Sequence, residues 1–134
     1  MAKKILFVCV GNSCRSQIAE GFTKYIGGKD VDVKSAGTKP AEAVSGKGER
    51  VMAEKSIDIS GQYPKELSAE DLEWADRVIV MGCGVEDHKL EEVDEKTEDW
   101  GIDDPIGQPV ETYRKIRDEI EAKVRNLLDR TAEK

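Results

Sequence analysis

Residues 5–10 form an unbroken apolar run rich in β-branched side chains, the pattern of a strand buried on both faces of a sheet, and it predicts a strand ending at Cys9. Gly11, Asn12 and Ser13 then read as a tight turn. From Arg15 the spacing of Ile18, Ala19 and Phe22 gives one apolar helical face, and Gly27 and Gly28 stop that helix. Residues 31–36 predict a second strand closed by Gly37. After a loop over residues 38–45, a second helix runs over about residues 46–55 with Val51 and Met52 as its apolar anchors. The segment 57–83 holds, in order, a short strand-like patch, a turn, a brief helix ending near Ala75 and a third strand over 77–81. Ser68 with Asp71 resembles a capping box at the start of that brief helix. Residues 82–100 are acidic and weakly patterned. A long amphipathic helix over about 110–129 follows, with Val110, Tyr113, Ile116, Ile120, Val124 and Leu127 or Leu128 on one face.

Strands alternating with helices imply a three-layer α/β sandwich: a small parallel sheet of about four strands with helices on both faces. In such sheets the ligand crevice lies beyond the carboxyl ends of the strands, which is where Cys9 falls. No repeat or linker interrupts the 134 residues, so one domain over 1–134 is expected.

A thiol between a strand end and a helix N-terminus has defined chemistry. A small-residue loop leading into a helix turns several backbone N–H groups inward, and the helix dipole adds partial positive charge, so an oxyanion fits there. Arg15 adds a planar fork of donors matched to such an anion, and the same field favours a thiolate over a thiol. Val10, Gly11, Asn12, Ser13, Cys14, Arg15 and Ser16 are therefore the candidate oxyanion cradle around a nucleophilic Cys9. Ser16 is placed to hydrogen-bond the sulfur, and Asn12 suits a left-handed turn position. Cys14, in the first turn of a helix that faces its own sheet, reads as a packing residue.

The run C-V-G-N-S-C-R-S after an apolar strand resembles the phosphate loop of the low-molecular-weight protein tyrosine phosphatase superfamily, which includes the thioredoxin-coupled arsenate reductases. The resemblance implies the matching fold and a thiolate nucleophile at Cys9. It also implies that Asp104, directly before Pro105, is the general acid that protonates the leaving oxygen. It assigns Cys83, which follows the third strand, to the attack that releases arsenite and leaves a Cys9–Cys83 disulfide. Gln17 after Arg15-Ser16 matches the reductases, where phosphatases typically carry Pro, and Ile106-Gly107 stand where phosphatases commonly carry tyrosines. Arsenate reduction to arsenite is thus the expected reaction. The alternatives are a phosphomonoesterase using the same Cys9, Arg15 and Asp104 through a phosphocysteine, and a non-catalytic oxyanion-binding or redox-sensing module.

The family's further redox cysteine has no counterpart in residues 87–92, so an outside reductant is expected to act directly on the disulfide: thioredoxin, or glutaredoxin with a low-molecular-weight thiol. Asn12, Glu20 and Ser35 match positions that hold a potassium ion in some reductases, although the loop over 63–66 lacks the expected Asp. Cys9 with Cys14 and Cys83 with His88 have the spacing of zinc ligand pairs, but a strand and a helix already fix Cys9 and Cys14, so neither a metal nor an organic cofactor is expected.

Charge and composition narrow the partners. A net charge of −7 argues against nucleic acid or an anionic membrane surface, and no stretch reads as a signal peptide or a spanning helix. Three cysteines are an odd count, unlike a secreted disulfide framework, so reactive or buried thiols are expected, in a cytoplasmic protein. A monomer is the expected state, although no residue pattern points to it.

Overall fold

The computed structural model describes residues 3–82, 85 and 88–132. Four parallel strands form the central sheet in the order β2-β1-β3-β4, with β1 at Lys3–Cys9, β2 at Val31–Gly37, β3 at Arg77–Val80 and β4 at Thr97–Asp99. β1 is interior, flanked by β2 and β3. Both of its faces are covered, which is why its sequence reads as continuous rather than alternating apolar residues. Ile5, Phe7 and Cys9 face α1 (Arg15–Gly27), α2 (Gly46–Ala53) and α4 (Val110–Ala132). Leu6 and Val8 face the other layer, where Leu67, Leu72 and Ala75 from α3 (Ala69–Trp74) and its flanks complete a second apolar cluster. Helices thus cover both faces of the sheet, as the alternation of elements predicts.

The helix positions follow the apolar spacing closely. α1 starts at Arg15 and buries Ile18, Ala19 and Phe22, and α2 buries Val51 and Met52. At α3 the Ser68 hydroxyl accepts the Asp71 N–H at 3.1 Å, one half of a capping box.

Two expectations are corrected. The strand-like patch near Ile57 is not a strand: Ile57 and Ile59 are buried in irregular coil, with Ile59 packed into the gap that Gly21 leaves on α1. The weakly patterned segment 82–100 contains the fourth strand. β4 is three residues long, sits at the sheet edge and carries Glu98 and Asp99, so its sequence has no apolar signature. A 3-10 segment, His88–Lys96, leads into it.

The parallel register brings the strand ends together. Cys9 pairs with Gly37, and Val8 with both Ala36 and Val80, so β1, β2 and β3 end at one edge. Two glycines let the backbone close up there. A Cβ on Gly37 would lie 2.5 Å from the Val10 carbonyl oxygen, and one on Gly82, whose φ is +139°, would lie 2.5 Å from the Ile102 carbonyl oxygen. A larger residue at position 37 would push the loop after β1 away from the end of β2, and one at position 82 would push the segment carrying Ile102 away from the end of β3.

Candidate active site

The loop between β1 and α1 is built so that its amides turn inward. The carbonyls of Cys9, Val10, Gly11 and Ser13 accept the N–H groups of Thr38, Lys39, Ala41 and Ser45 at 2.7–3.1 Å. The Asn12 carbonyl accepts Gln17 Nε2 at 2.9 Å. In a trans peptide the N–H points opposite to the carbonyl, so outward carbonyls at residues 10–13 turn the N–H groups of residues 11–14 toward the loop's centre. The first N–H groups of α1 are free of helical partners and add to the same cradle.

Cys9 sits at the floor of this cradle, only 2 % exposed, on the face of β1 shared with Ile5 and Phe7. Its sulfur accepts the Asn12 N–H at 3.1 Å and lies 2.8 Å from the Ser16 hydroxyl. Both are polar groups directed at the sulfur. Asn12 has φ 49°, the left-handed turn expected of it; its side chain donates to Ser16 Oγ at 2.7 Å and accepts the Lys65 N–H at 2.9 Å. Asn12 thus shapes the loop from behind through its side chain, while its N–H faces the sulfur.

Arg15 is 3 % exposed, and its Nη1 donates to the Ile102 carbonyl at 2.9 Å. Its Nη2 lies 3.9 Å from a carboxylate oxygen of Asp104, whose side chain is about half exposed at 47 %. The other Asp104 oxygen accepts the Ile106 N–H, which fixes the carboxylate at the turn into Pro105. Lys47 at the start of α2 straps the far end of that turn by donating to the Gln108 carbonyl at 2.7 Å. The structure therefore brings Cys9, Asn12, Arg15, Ser16 and Asp104 to one mouth. Val10, Gly11 and Ser13 contribute backbone. Cys83 lies outside the described residues, as does the side chain of His88.

Cys14 belongs to the wall and not to the reacting centre. Its thiol is pushed up to about 12, mainly by burial, with the neighbouring Cys9 and Asp104 acting in the same direction and Arg15 against. It stays protonated across the physiological range, which makes it a poor metal ligand or redox thiol.

The residues matched to a potassium site do not fit that ion. Glu20 is buried, and one of its carboxylate oxygens pairs with Lys24 Nζ at 2.6 Å. The other takes the Ser35 hydroxyl and lies 3.9 Å from Lys65 Nζ. Two ammonium groups already supply the positive charge, and burial lowers the Lys65 pKa while Glu20 opposes that shift.

Sequence reasoning did not find the Ile102 carbonyl, the Lys47 strap or the partners of Gln17. The first is a main-chain group with no residue signature. The Lys47 strap joins segments 61 residues apart, and the contact of Gln17 with Gln62 joins segments 45 residues apart.

A thiol at the end of an interior parallel strand, ringed by amides and a buried guanidinium, defines a class of cysteine-based oxyanion chemistry. The chain belongs to the low molecular weight phosphotyrosine protein phosphatase family, whose profile matches residues 4–134. Among its relatives is the glutaredoxin arsenate reductase of Synechocystis sp., 39 % identical over 94 % of this chain and 96 % of that protein. Among solved structures, an arsenate reductase in the phosphate binding state superposes with a TM-score of 0.84 at 39 % identity, covering 96 % of this chain and 98 % of that one. The YwlE arginine phosphatase from Geobacillus stearothermophilus superposes with a TM-score of 0.87 at 35 % identity, covering 97 % and 93 %. Among the described residues no helix is long and apolar enough to cross a membrane.

Proposed function

We propose that this protein reduces arsenate to arsenite. The observation that carries the reading is the Cys9 sulfur held by the Asn12 N–H at 3.1 Å inside a loop of inward amides, with buried Arg15 reaching toward Asp104. The relatives named arsenate reductases at up to 39 % identity support it. Cys9 attacks arsenic in an arsenate held by the loop amides and Arg15. One arsenic–oxygen bond breaks, and Asp104 supplies the proton with which that oxygen leaves as water. Cys83 then attacks the Cys9 sulfur. The sulfur–arsenic electron pair stays on arsenic, which leaves as arsenite, and a Cys9–Cys83 disulfide remains. An external dithiol, thioredoxin or glutaredoxin with a low-molecular-weight thiol, returns both cysteines to thiols. Such reductants belong to a compartment that keeps thiols reduced, the cytoplasm.

A second reading has its own support, because the arginine phosphatase is 35 % identical and hydrolysis through a phosphocysteine calls for no resolving cysteine. In that reading Cys9, Arg15 and Asp104 hydrolyse a phosphorylated substrate through a phosphocysteine. The two separate on Cys83→Ser. Arsenate turnover is measured with thioredoxin, with glutaredoxin plus glutathione, and with neither, alongside hydrolysis of p-nitrophenyl phosphate. The substitution is expected to abolish arsenite release while sparing aryl phosphate hydrolysis within about threefold, the change expected of a group outside the shared step. Loss of both activities together, or no arsenate turnover in the unmodified protein with any reductant, overturns the reductase reading.

A further inference from the structure

Gln17 is a fully buried polar side chain, at 0 % exposure, that the proposed chemistry does not use. Its Nε2 donates to two carbonyls, those of Asn12 at 2.9 Å and Tyr63 at 3.0 Å. Its Oε1 accepts from Gln62 Nε2 at 2.7 Å, and the same Gln62 nitrogen reaches the Gln17 carbonyl at 3.1 Å. Two carbonyl acceptors on one side and an amide donor on the other leave a single orientation for the Gln17 amide. Its NH2 must face Asn12.

What that amide holds is the left-handed point of the loop. Asn is one of the few non-glycine residues that adopt φ 49° readily, and its contacts decide whether it stays there. The Asn12 side chain is fixed by Ser16 and by the Lys65 N–H, the peptide before it by the bond from the Ala41 N–H to the Gly11 carbonyl, and the peptide after it by the Gln17 contact, so the left-handed turn between those two peptides depends on Gln17 for its second anchor. The Asn12 N–H in turn points at the Cys9 sulfur. A line of bonded groups therefore runs from Gln62 through Gln17 and the Asn12 backbone to the reacting atom.

We propose that Gln17, oriented by Gln62, is a positioning residue: it locks the Asn12 backbone in the left-handed turn that aims an N–H at the Cys9 sulfur. The inference rests on Cys9 being the nucleophile, and it holds for arsenate and phosphate chemistry alike. Gln17→Met keeps the length and removes both donors. Gln17→Glu keeps the shape and puts a carboxylate oxygen in place of the NH2, facing the two carbonyls to which it no longer donates.

The test is the rate at which iodoacetamide alkylates Cys9 at fixed pH, read by mass spectrometry in folded protein. Both variants are expected to react about tenfold more slowly, the loss that goes with one neutral hydrogen bond. For p-nitrophenyl phosphate or arsenate, kcat is expected to fall by a similar factor while KM moves less than about threefold, because the loop's other amides and Arg15 still bind the oxyanion. A residue that only holds the fold together would lower the melting temperature and leave the alkylation rate of the folded fraction unchanged. Alkylation within twofold of the unmodified protein in both variants overturns the proposal. Should neither variant fold, Gln62→Met, which frees Gln17 without removing its donors, is expected to slow alkylation about threefold, and an unchanged rate there overturns it equally. Alkylation needs no turnover, so a protein that fails to reduce arsenate yet shows these slowed rates would remove the proposed reaction and leave the positioning role standing.

Discussion

Arg15 is held at two points of its guanidinium, by the Ile102 carbonyl and across 3.9 Å by Asp104, and both contacts come from the segment that follows β4. The cradle's buried cation and the proposed acid thus sit side by side. With Asp104 about half exposed, an incoming oxyanion reaches the carboxyl from solvent and the guanidinium from within. Asp104→Asn keeps the side chain's shape and removes its proton. It is expected to lower kcat by about 10²- to 10⁴-fold, the usual contribution of positioned acid catalysis, while phosphate still protects Cys9 from alkylation at a similar concentration. Unchanged kcat would remove Asp104 from the proton transfer. At this scale Cys9, Asn12, Arg15 and Ser16 were legible because they are contiguous and of unmistakable residue type. Asp104 was reached only through the family resemblance, since Asp-Asp-Pro alone also marks a turn. Gln17 drew attention as a reductase marker, but its partner Gln62 is 45 positions away and no local pattern joins them.

Among the elements, α1 and α4 were readable from apolar spacing, and β1 from its continuous apolar run, because burial there is decided by a whole face of side chains. β4 was not, because an edge strand of three residues with two acids gains its place from main-chain pairing to β3 and not from burial. The docking of α2 on α4 lies between these cases. Arg117 is nearly buried on α4 and donates to the Val51 carbonyl at 3.0 Å and to Glu54 at 2.7 Å, while Arg114 grips the same carboxylate through Nε and Nη2. Hydrogen bonds from Arg114, then Arg117, and their charges hold the Glu54 carboxyl down at about 2, against an ordinary 4.5. A depressed carboxyl stabilises the fold above its unfolded value and ceases to do so as pH falls through its folded value. Glu54→Gln is therefore expected to lower the melting temperature at pH 7, and the gap from the unmodified protein to narrow steadily as pH drops below 4.5 toward 2. Calorimetry across that range checks it; a gap that stays constant with pH would mean that packing and not charge joins the two helices.

For the molecule as a whole, two fields act on an approaching oxyanion in opposite senses. The net charge of −7 is spread over solvated side chains and repels a dianion at long range. The attraction comes from the loop amides, the dipole of α1 and an Arg15 that is only 3 % exposed, and it acts at short range within a buried mouth. Dissolved salt does not weaken these equally. With a screening length of about 10 Å at 0.1 M, mobile ions damp the repulsion from the exposed surface and barely reach the contacts inside the cradle. Raising sodium chloride from about 10 to about 150 mM is therefore expected to increase kcat/KM for the oxyanion substrate by about twofold, through faster encounter and with kcat unchanged. If kcat/KM instead falls as salt is added, the charge that governs approach is the positive field at the mouth itself, and the acidic surface has no part in selecting what enters.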